Sequence, residues 1–296
     1  MKWTVTEAND RVRLACRLAV EVALACVALP VAAETGERVR LIPERDAVVP
    51  GTTFSLAVEL QMRPGWHTYW LNPGDSGLAP TLRWRLPDGV RLARVWFPVP
   101  ERIEEAGMVT FGYTDRVWLL VDFVTDEKLA GAKRVEVGLT VDWMVCLEMC
   151  MPLQGEASVS LGVVASEPAP AADETAAAFA HWRAKLPKPA DGWVVQAQAE
   201  RGGLKLRIQP PDGIALTDAA WDRAQFCVTR NGALDLQAVP RWRRRGAAWS
   251  ALLRAGPDPF KTGDVIDGIL VFPAEGSRNQ AVVHAWAIRA TVSRAP

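Results

Sequence analysis

Cys146 and Cys150 are the residues whose type and spacing point most directly to chemistry. They stand in Val141-Asp142-Trp143-Met144-Val145-Cys146-Leu147-Glu148-Met149-Cys150-Met151-Pro152. Two thiols this close can interconvert between a dithiol and a disulfide, and that change stores two electrons. A disulfide requires alpha carbons about 4.4 to 6.8 Å apart, whereas four residues of extended strand span roughly 13 Å. If the pair bonds, the chain must turn or coil between the two positions. One helical turn would bring them onto a shared face, and Pro152 would end it. A ring this short contributes only about 2 kcal/mol by loop entropy, against about 4.7 kcal/mol for a 100-residue loop. That comparison favours redox use over a structural staple.

A second chemistry uses the same stretch. Met144, Met149 and Met151 crowd the cysteines, and thiolates with thioethers are soft ligands suited to copper(I). A site built from Cys146, Cys150, Met144, Met149 and Met151 is the alternative, against ordinary packing of the methionines around the pair. The acids nearest in sequence, Asp142 and Glu148, carry the same sign as a thiolate. They predict raised thiol pKa values and slow exchange with small disulfides until a docked partner supplies the attacking thiolate. A third reading keeps the disulfide as a local clip in a structural interaction domain.

Two other motifs carry less. Gly74-Asp75-Ser76-Gly77 has the look of a serine-protease nucleophile, but a triad needs a histidine base and a buried aspartate. His67 lies only nine residues before Ser76, so the motif is predicted to be a turn whose Asp and Ser bond their own backbone. Arg241-Trp242-Arg243-Arg244-Arg245 reads as a solvated hairpin tip, because no wider basic stretch accompanies it. Lys+Arg and Asp+Glu both number 34, so bulk charge gives no reason to expect nucleic acid as a partner. This reading requires no cofactor.

The elements that must position the pair are strands. Arg134 to Trp143 and Glu156 to Val164 alternate with a period of two, which places the cysteines at a hairpin-like connection. Similar runs recur at Arg38 to Leu60, Trp66 to Leu71, Thr81 to Leu86, Arg91 to Phe97 and Val117 to Val124, with Glu101 to Tyr113 irregular. In Trp66 to Leu71 one face takes Trp66, Thr68 and Trp70, and the other takes His67, Tyr69 and Leu71, with Asn72-Pro73-Gly74 expected as the turn that follows. Glu167-Pro168-Ala169-Pro170 is a linker, and Glu174 to Leu186 a short helix with Phe179 and Trp182 inward. Further strands are expected at Leu204 to Ile208, Phe226 to Thr229, Leu234 to Val239, Ala248 to Leu253, Asp267 to Phe272 and Ala281 to Val292. The fold class is therefore all-β: two immunoglobulin-like β-sandwich domains with a short helix in the linker region.

The start of the chain reads as a cleavable export signal, with Lys2, Arg11, Arg13 and Arg17 before an apolar core and Val31-Ala32-Ala33 at the cleavage site. The expected organisation is a signal peptide at 1–33, a redox sandwich at 34–165, a linker and helix at 166–190, and a second sandwich at 191–296. No transmembrane segment is expected in the mature chain. Cys16 and Cys26 leave with the signal. The mature protein keeps Cys146, Cys150 and Cys227, the last in a strand-like run as an inert buried thiol.

Three ordered motifs together resemble a known family. They are Gly65-Trp66-His67-Thr68-Tyr69-Trp70 with Asn72-Pro73-Gly74-Asp75-Ser76-Gly77, then Phe111-Gly112-Tyr113, then Val141-Asp142-Trp143 through Cys146, Cys150 and Pro152. The stretch Arg38 to Val164 resembles the N-terminal periplasmic (alpha) domain of the DsbD family of thiol:disulfide interchange proteins, suppressor-of-copper-sensitivity-like branch. The resemblance implies a periplasmic relay in which Cys146 and Cys150 pass reducing equivalents to oxidised periplasmic proteins. The donor would be a thioredoxin-like protein or membrane reductase on another chain. As an enzyme the protein would be a thiol:disulfide oxidoreductase of the protein-disulfide reductase type. Asp142, Trp143, Glu148 and Pro152 would form the environment of the pair, and Phe111 with Tyr113 would supply an aromatic cap over it.

Overall fold

Alternating runs in the sequence become paired strands in the computed structural model, which describes residues 36–169, 172–274 and 282–294. The described residues fall within one compact unit, Gly36–Pro296. The expected signal at 1–33 lies outside the described residues. The first part contains β1 (Arg38–Pro43), β2 (Ala47–Val48), β3 (Thr53–Gln61), β4 (His67–Gly74), β5 (Thr81–Arg85) and β6 (Val90–Trp96). It continues with β7 (Glu101–Glu105), β8 (Met108–Thr114), β9 (Arg116–Thr125), β10 (Arg134–Cys146) and β11 (Cys150–Val163). One sheet runs β1-β3-β9-β6, and the other runs β2-β11-β10-β4-β8-β7 with β5 also on β10. Leu56, Leu60, Trp70, Leu119, Phe123 and Leu139 are fully buried in their shared core.

Helix α1 (Asp173–Ala184) follows. Phe179 and Trp182 are its buried residues, as expected, and both meet Trp118, at ring separations of 5.6 and 6.4 Å. His181 is exposed. The helix is thus packed onto the first part rather than acting only as a spacer.

The second part comprises β12 (Lys188–Pro189), β13 (Val194–Glu200), β14 (Gly203–Gln209), helix α2 (Asp218–Asp222), β15 (Gln225–Val228), β16 (Arg243–Arg245), β17 (Ala248–Arg254), β18 (Val265–Pro273) and β19 (Val282–Arg294). The strand order is β15-β18-β19-β13-β14-β17-β16, with β12 beside β19. Trp221 anchors its core, stacking on Trp249 at 4.9 Å and meeting Phe272 edge-on at 5.0 Å. The two parts share contacts: Cys227, Ile269, Val271 and Ala285 join the first core, and Asn72 Nδ2 donates to the Val228 carbonyl at 2.7 Å. Burial pushes the Cys227 thiol up to about 12, which keeps it protonated and inert.

The fold class is all-β with short helices in two sandwich-like parts, as the patterning predicts. Three local expectations differ. Glu101 to Tyr113, expected to be irregular, is the β7–β8 hairpin, turned by Ala106 and Gly107 at φ 50° and 77°. Two consecutive positive φ values make the tight turn that twists with its strands, but Ala-Gly is a weak sequence signal for it. Leu234 to Val239, expected to be a strand, makes only an isolated bridge from Leu234 to Ala255. There the Asp235 carboxylate accepts the Gln237 N–H at 3.1 Å, an Asx turn that competes with strand pairing. Asn72-Pro73-Gly74 ends β4 through a register shift instead of forming a free turn.

Candidate redox site

The cysteines close a hairpin. β10 and β11 pair in unbroken antiparallel register from Arg134 opposite Gly162 down to Cys146 opposite Cys150. Leu147, Glu148 and Met149 form the connecting loop. Folding back in this way brings the two alpha carbons to 4.1 Å, and the sulfurs are bonded. No helical turn is involved. Pro152 is opposite Met144 within β11 and does not end a turn. Its missing N–H is tolerated because the far side of β11 is paired to β2 only at Gly162 and Val163.

Alternation along the hairpin sorts the neighbours by face. Val141, Trp143 and Val145 are buried in the core. The side chains of Asp142, Met144 and Cys146 therefore lie on the opposite face. Trp143, expected beside the pair, points away from it. Met151, opposite Val145, packs against the core, whereas Met149 stands in the loop, 71% exposed. Only Met144 shares the face of the cysteines, so the four-residue span does not gather the sulfur ligands of the copper(I) alternative on one side.

The two cysteines differ in exposure. Cys146 is 8% exposed, and Cys150 is exposed. Beside β10 in the sheet lies β4, which pairs with it through His67 opposite Cys146 and Thr68 opposite Val145. Thr68 Oγ1 donates to the Met144 carbonyl at 2.8 Å, fixing that register. The fully buried Tyr69 places its hydroxyl 3.3 Å from Cys150 Sγ. Burial raises the Tyr69 phenol above its ordinary value, partly offset by a hydrogen bond with Ser76. The Tyr69 ring is roofed by Gly77, at φ 86°, where an added Cβ would lie 2.2 Å from ring carbons. His67 and Tyr69 meet edge to face at 5.3 Å. Burial holds the His67 imidazole below its ordinary value, against the opposing pull of Glu105 and Glu101.

The charges around the pair differ from the sequence order. The Asp142 carboxylate is bonded by the Arg83 guanidinium and by Gln154 Nε2 at 2.7 Å. Those bonds, Arg83 first, hold it below the usual carboxylate range. Its charge is answered locally, whereas Glu148 is exposed in the loop.

Phe111 and Tyr113 do not cap the cysteines. Both belong to β8 and are buried in the core. Phe111 meets Trp70 edge-on at 6.0 Å, and the Tyr113 hydroxyl donates to the Pro98 carbonyl at 2.8 Å. One strand, β4, lies between β8 and β10, and the two rings are on the core face of the sheet. Asp75, expected to bond its own backbone, bonds β8 instead: its N–H donates to the Val109 carbonyl and its carboxylate accepts the Val109 N–H, both at 2.8 Å. The residues that sequence reasoning missed are His67 and Tyr69. Their shared face was legible from the alternation, but not that the cysteine hairpin lies on that side.

Residues 38–161 match the family described as thiol:disulfide interchange protein DsbD, N-terminal. No curated protein sequence matches. Among solved structures, the N-terminal periplasmic domain of ScsB from Proteus mirabilis is similar at a TM-score of 0.57 and 20% identity, over 83% of this chain and 91% of that one. At that identity the likeness shows a shared fold. Spo0M of Bacillus subtilis, at 10% identity over 86% of this chain and 90% of that one, has a TM-score of only 0.22, which carries no argument.

Proposed function

We propose that the chain is a two-electron relay of the periplasm: residues 38–161 match the N-terminal domain family of the thiol:disulfide interchange protein DsbD, and the chain shares the fold of the ScsB N-terminal periplasmic domain. The Cys146–Cys150 disulfide would accept reducing equivalents from a thioredoxin-like protein or membrane reductase on another chain and pass them to oxidised exported proteins. The observation that carries this reading is the asymmetry of exposure. Cys150 is the exposed residue of the pair, and Cys146 is the buried one.

The steps follow from that asymmetry. A donor thiolate attacks Cys150 Sγ, a mixed disulfide forms, and the Cys146 sulfur leaves with the electron pair. The donor's second thiol then attacks its own sulfur in the mixed disulfide, releasing Cys150. The donor ends as a disulfide and this chain as a dithiol. In the onward half the Cys150 thiolate attacks a substrate disulfide, and Cys146 resolves the mixed species, regenerating its bond to Cys150. Tyr69 is placed to donate a hydrogen bond to the Cys150 sulfur when it carries charge. In this reading residues 1–33 are a cleaved export signal, 34–165 the redox sandwich, 166–190 the linker and helix, and 191–296 a second sandwich.

Single serine replacements test it. Cys146→Ser keeps the exposed cysteine without its resolver and is expected to trap a disulfide-linked complex with a thioredoxin-like protein. Cys150→Ser is expected to trap none. Trapping by neither variant overturns the relay, and trapping by Cys150→Ser alone overturns the assignment of roles.

A further inference from the structure

The chain's zero net charge hides a division. Residues 36–169 hold 13 Lys/Arg against 18 Asp/Glu, and residues 170–296 hold 17 against 12. The surplus of cations in the second part gathers on one face. The run Arg241 to Arg245 alone looks like a hairpin tip, yet strand pairing sets it beside cations remote in sequence. Arg207 on β14 is opposite Ser250 on β17, which is opposite Arg243 on β16. In the next row Lys205 is opposite Leu252. Leu204, Leu206, Ile208, Ala251 and Leu253 are buried on the other side of these strands, so the cationic rows form the outer face. A shallow concavity there is lined by Lys205, Arg241, Arg243 and Arg254 together with Val239 and Leu252.

Two features make this more than a solvated surface. Several of its cations are not answered by acids. Lys205 pairs with Glu200 and Arg254 with Asp235, at 3.1 and 3.3 Å. Among the described residues Arg207 bonds the neutral Gln196, at 3.3 Å. Among the described residues no ion pair holds Arg207, Arg241, Arg243 or Arg245. Interleaved with them are two large apolar side chains left in water, Val239 at 62% and Leu252 at 51% exposure. Cations that draw in phosphates, with apolar groups that enter the layer beneath, are what an anionic bilayer surface selects. Nucleic acid fits less well, because the aromatics available for base stacking here, Trp242 and Trp249, are buried.

We propose that this outer face of β14, β17 and β16 docks the protein peripherally on an anionic phospholipid bilayer. The attachment is peripheral and reversible, because it rests on surface cations and two exposed apolar side chains. The cysteines belong to the other sandwich. The proposal stands whether or not the relay does.

The test is sedimentation of the mature chain with vesicles of phosphatidylcholine containing phosphatidylglycerol, against vesicles of phosphatidylcholine alone. Binding is expected to the anionic vesicles only and to fall as salt is raised. Replacing Arg207, Arg241 and Arg243 together by Gln should weaken partition about 100-fold, at about fivefold per cation. A control triple, Arg91→Gln, Arg94→Gln and Arg134→Gln on the first sandwich, should leave partition within about twofold. Equal binding to neutral vesicles, or anionic binding that the first triple variant retains, overturns the proposal. So does an absence of vesicle binding accompanied by salt-sensitive self-association in sedimentation velocity, which would assign the face to a second copy of the chain.

Discussion

Replacing Tyr69 by Phe removes one atom from the site, the hydroxyl oxygen 3.3 Å from Cys150 Sγ. In the dithiol protein that hydroxyl donates to the Cys150 thiolate, and a hydrogen bond to a charged acceptor contributes about 1.5 to 3 kcal/mol. Sulfur is a weak acceptor, so the lower figure applies, which corresponds to about one pKa unit. Tyr69→Phe should therefore raise the Cys150 pKa by about one unit. Below that pKa the thiolate fraction falls about tenfold, while the more basic thiolate gains about threefold in intrinsic nucleophilicity. The net expectation is exchange about threefold slower at neutral pH. Ultraviolet titration of thiolate absorbance in the reduced protein reads the pKa, and stopped-flow reduction of a model disulfide reads the rate. Tyr113→Phe is the control, because its hydroxyl bonds the Pro98 carbonyl in the core. It should cost about 1 kcal/mol of stability without moving the thiol pKa. An unshifted Cys150 pKa in Tyr69→Phe, or an equal shift in Tyr113→Phe, would refute the reasoning.

The neighbouring residues yield two more expectations. Burial depresses the His67 pKa in the folded protein, so the unfolded chain binds the extra proton first as pH falls. The stability that the neutral imidazole contributes is complete above the ordinary histidine value near 6.5 and is lost as pH falls through the lower folded value. Urea denaturation of wild type and His67→Gln should converge, or cross in favour of the variant, between about pH 7 and 5, and parallel curves would count against a buried neutral His67. At Gly77, a side chain meets both the left-handed φ of 86° and the Tyr69 ring. Gly77→Ala is expected to lose about 1 to 3 kcal/mol of unfolding free energy and to slow exchange as Tyr69→Phe does; a variant with native stability and native exchange would show that Gly77 does not hold the ring in place.

The proximity of the two sulfurs was legible because it is local: a separation of four residues between two alternating runs forces a fold-back, whatever surrounds it. Hydrophobic alternation is equally local, and it identified Thr68 and Trp70 as one face of a strand with His67 and Tyr69 as the other. Strand pairing is not local. The β7–β8 hairpin was unreadable because its turn depends on two positive φ values at Ala106 and Gly107, which the side chains do not advertise. Phe111 and Tyr113 were expected as a cap from the family resemblance, and without that hairpin nothing in the sequence assigned them to the core.

The amino-acid order alone therefore determined the strand-rich composition, the positions of most strands and the identity of the bonded cysteine pair, all of which follow from patterns within a dozen residues. Tertiary structure alone decided which face of the sheet the sulfurs occupy, that Tyr69 and His67 lie beside them, that Arg83 answers Asp142, and that Arg207 and Arg243 share a row. Each of these depends on the register between strands far apart in the chain. Register is set by how whole sheets bury their apolar faces against one another, and no short window of sequence contains that information.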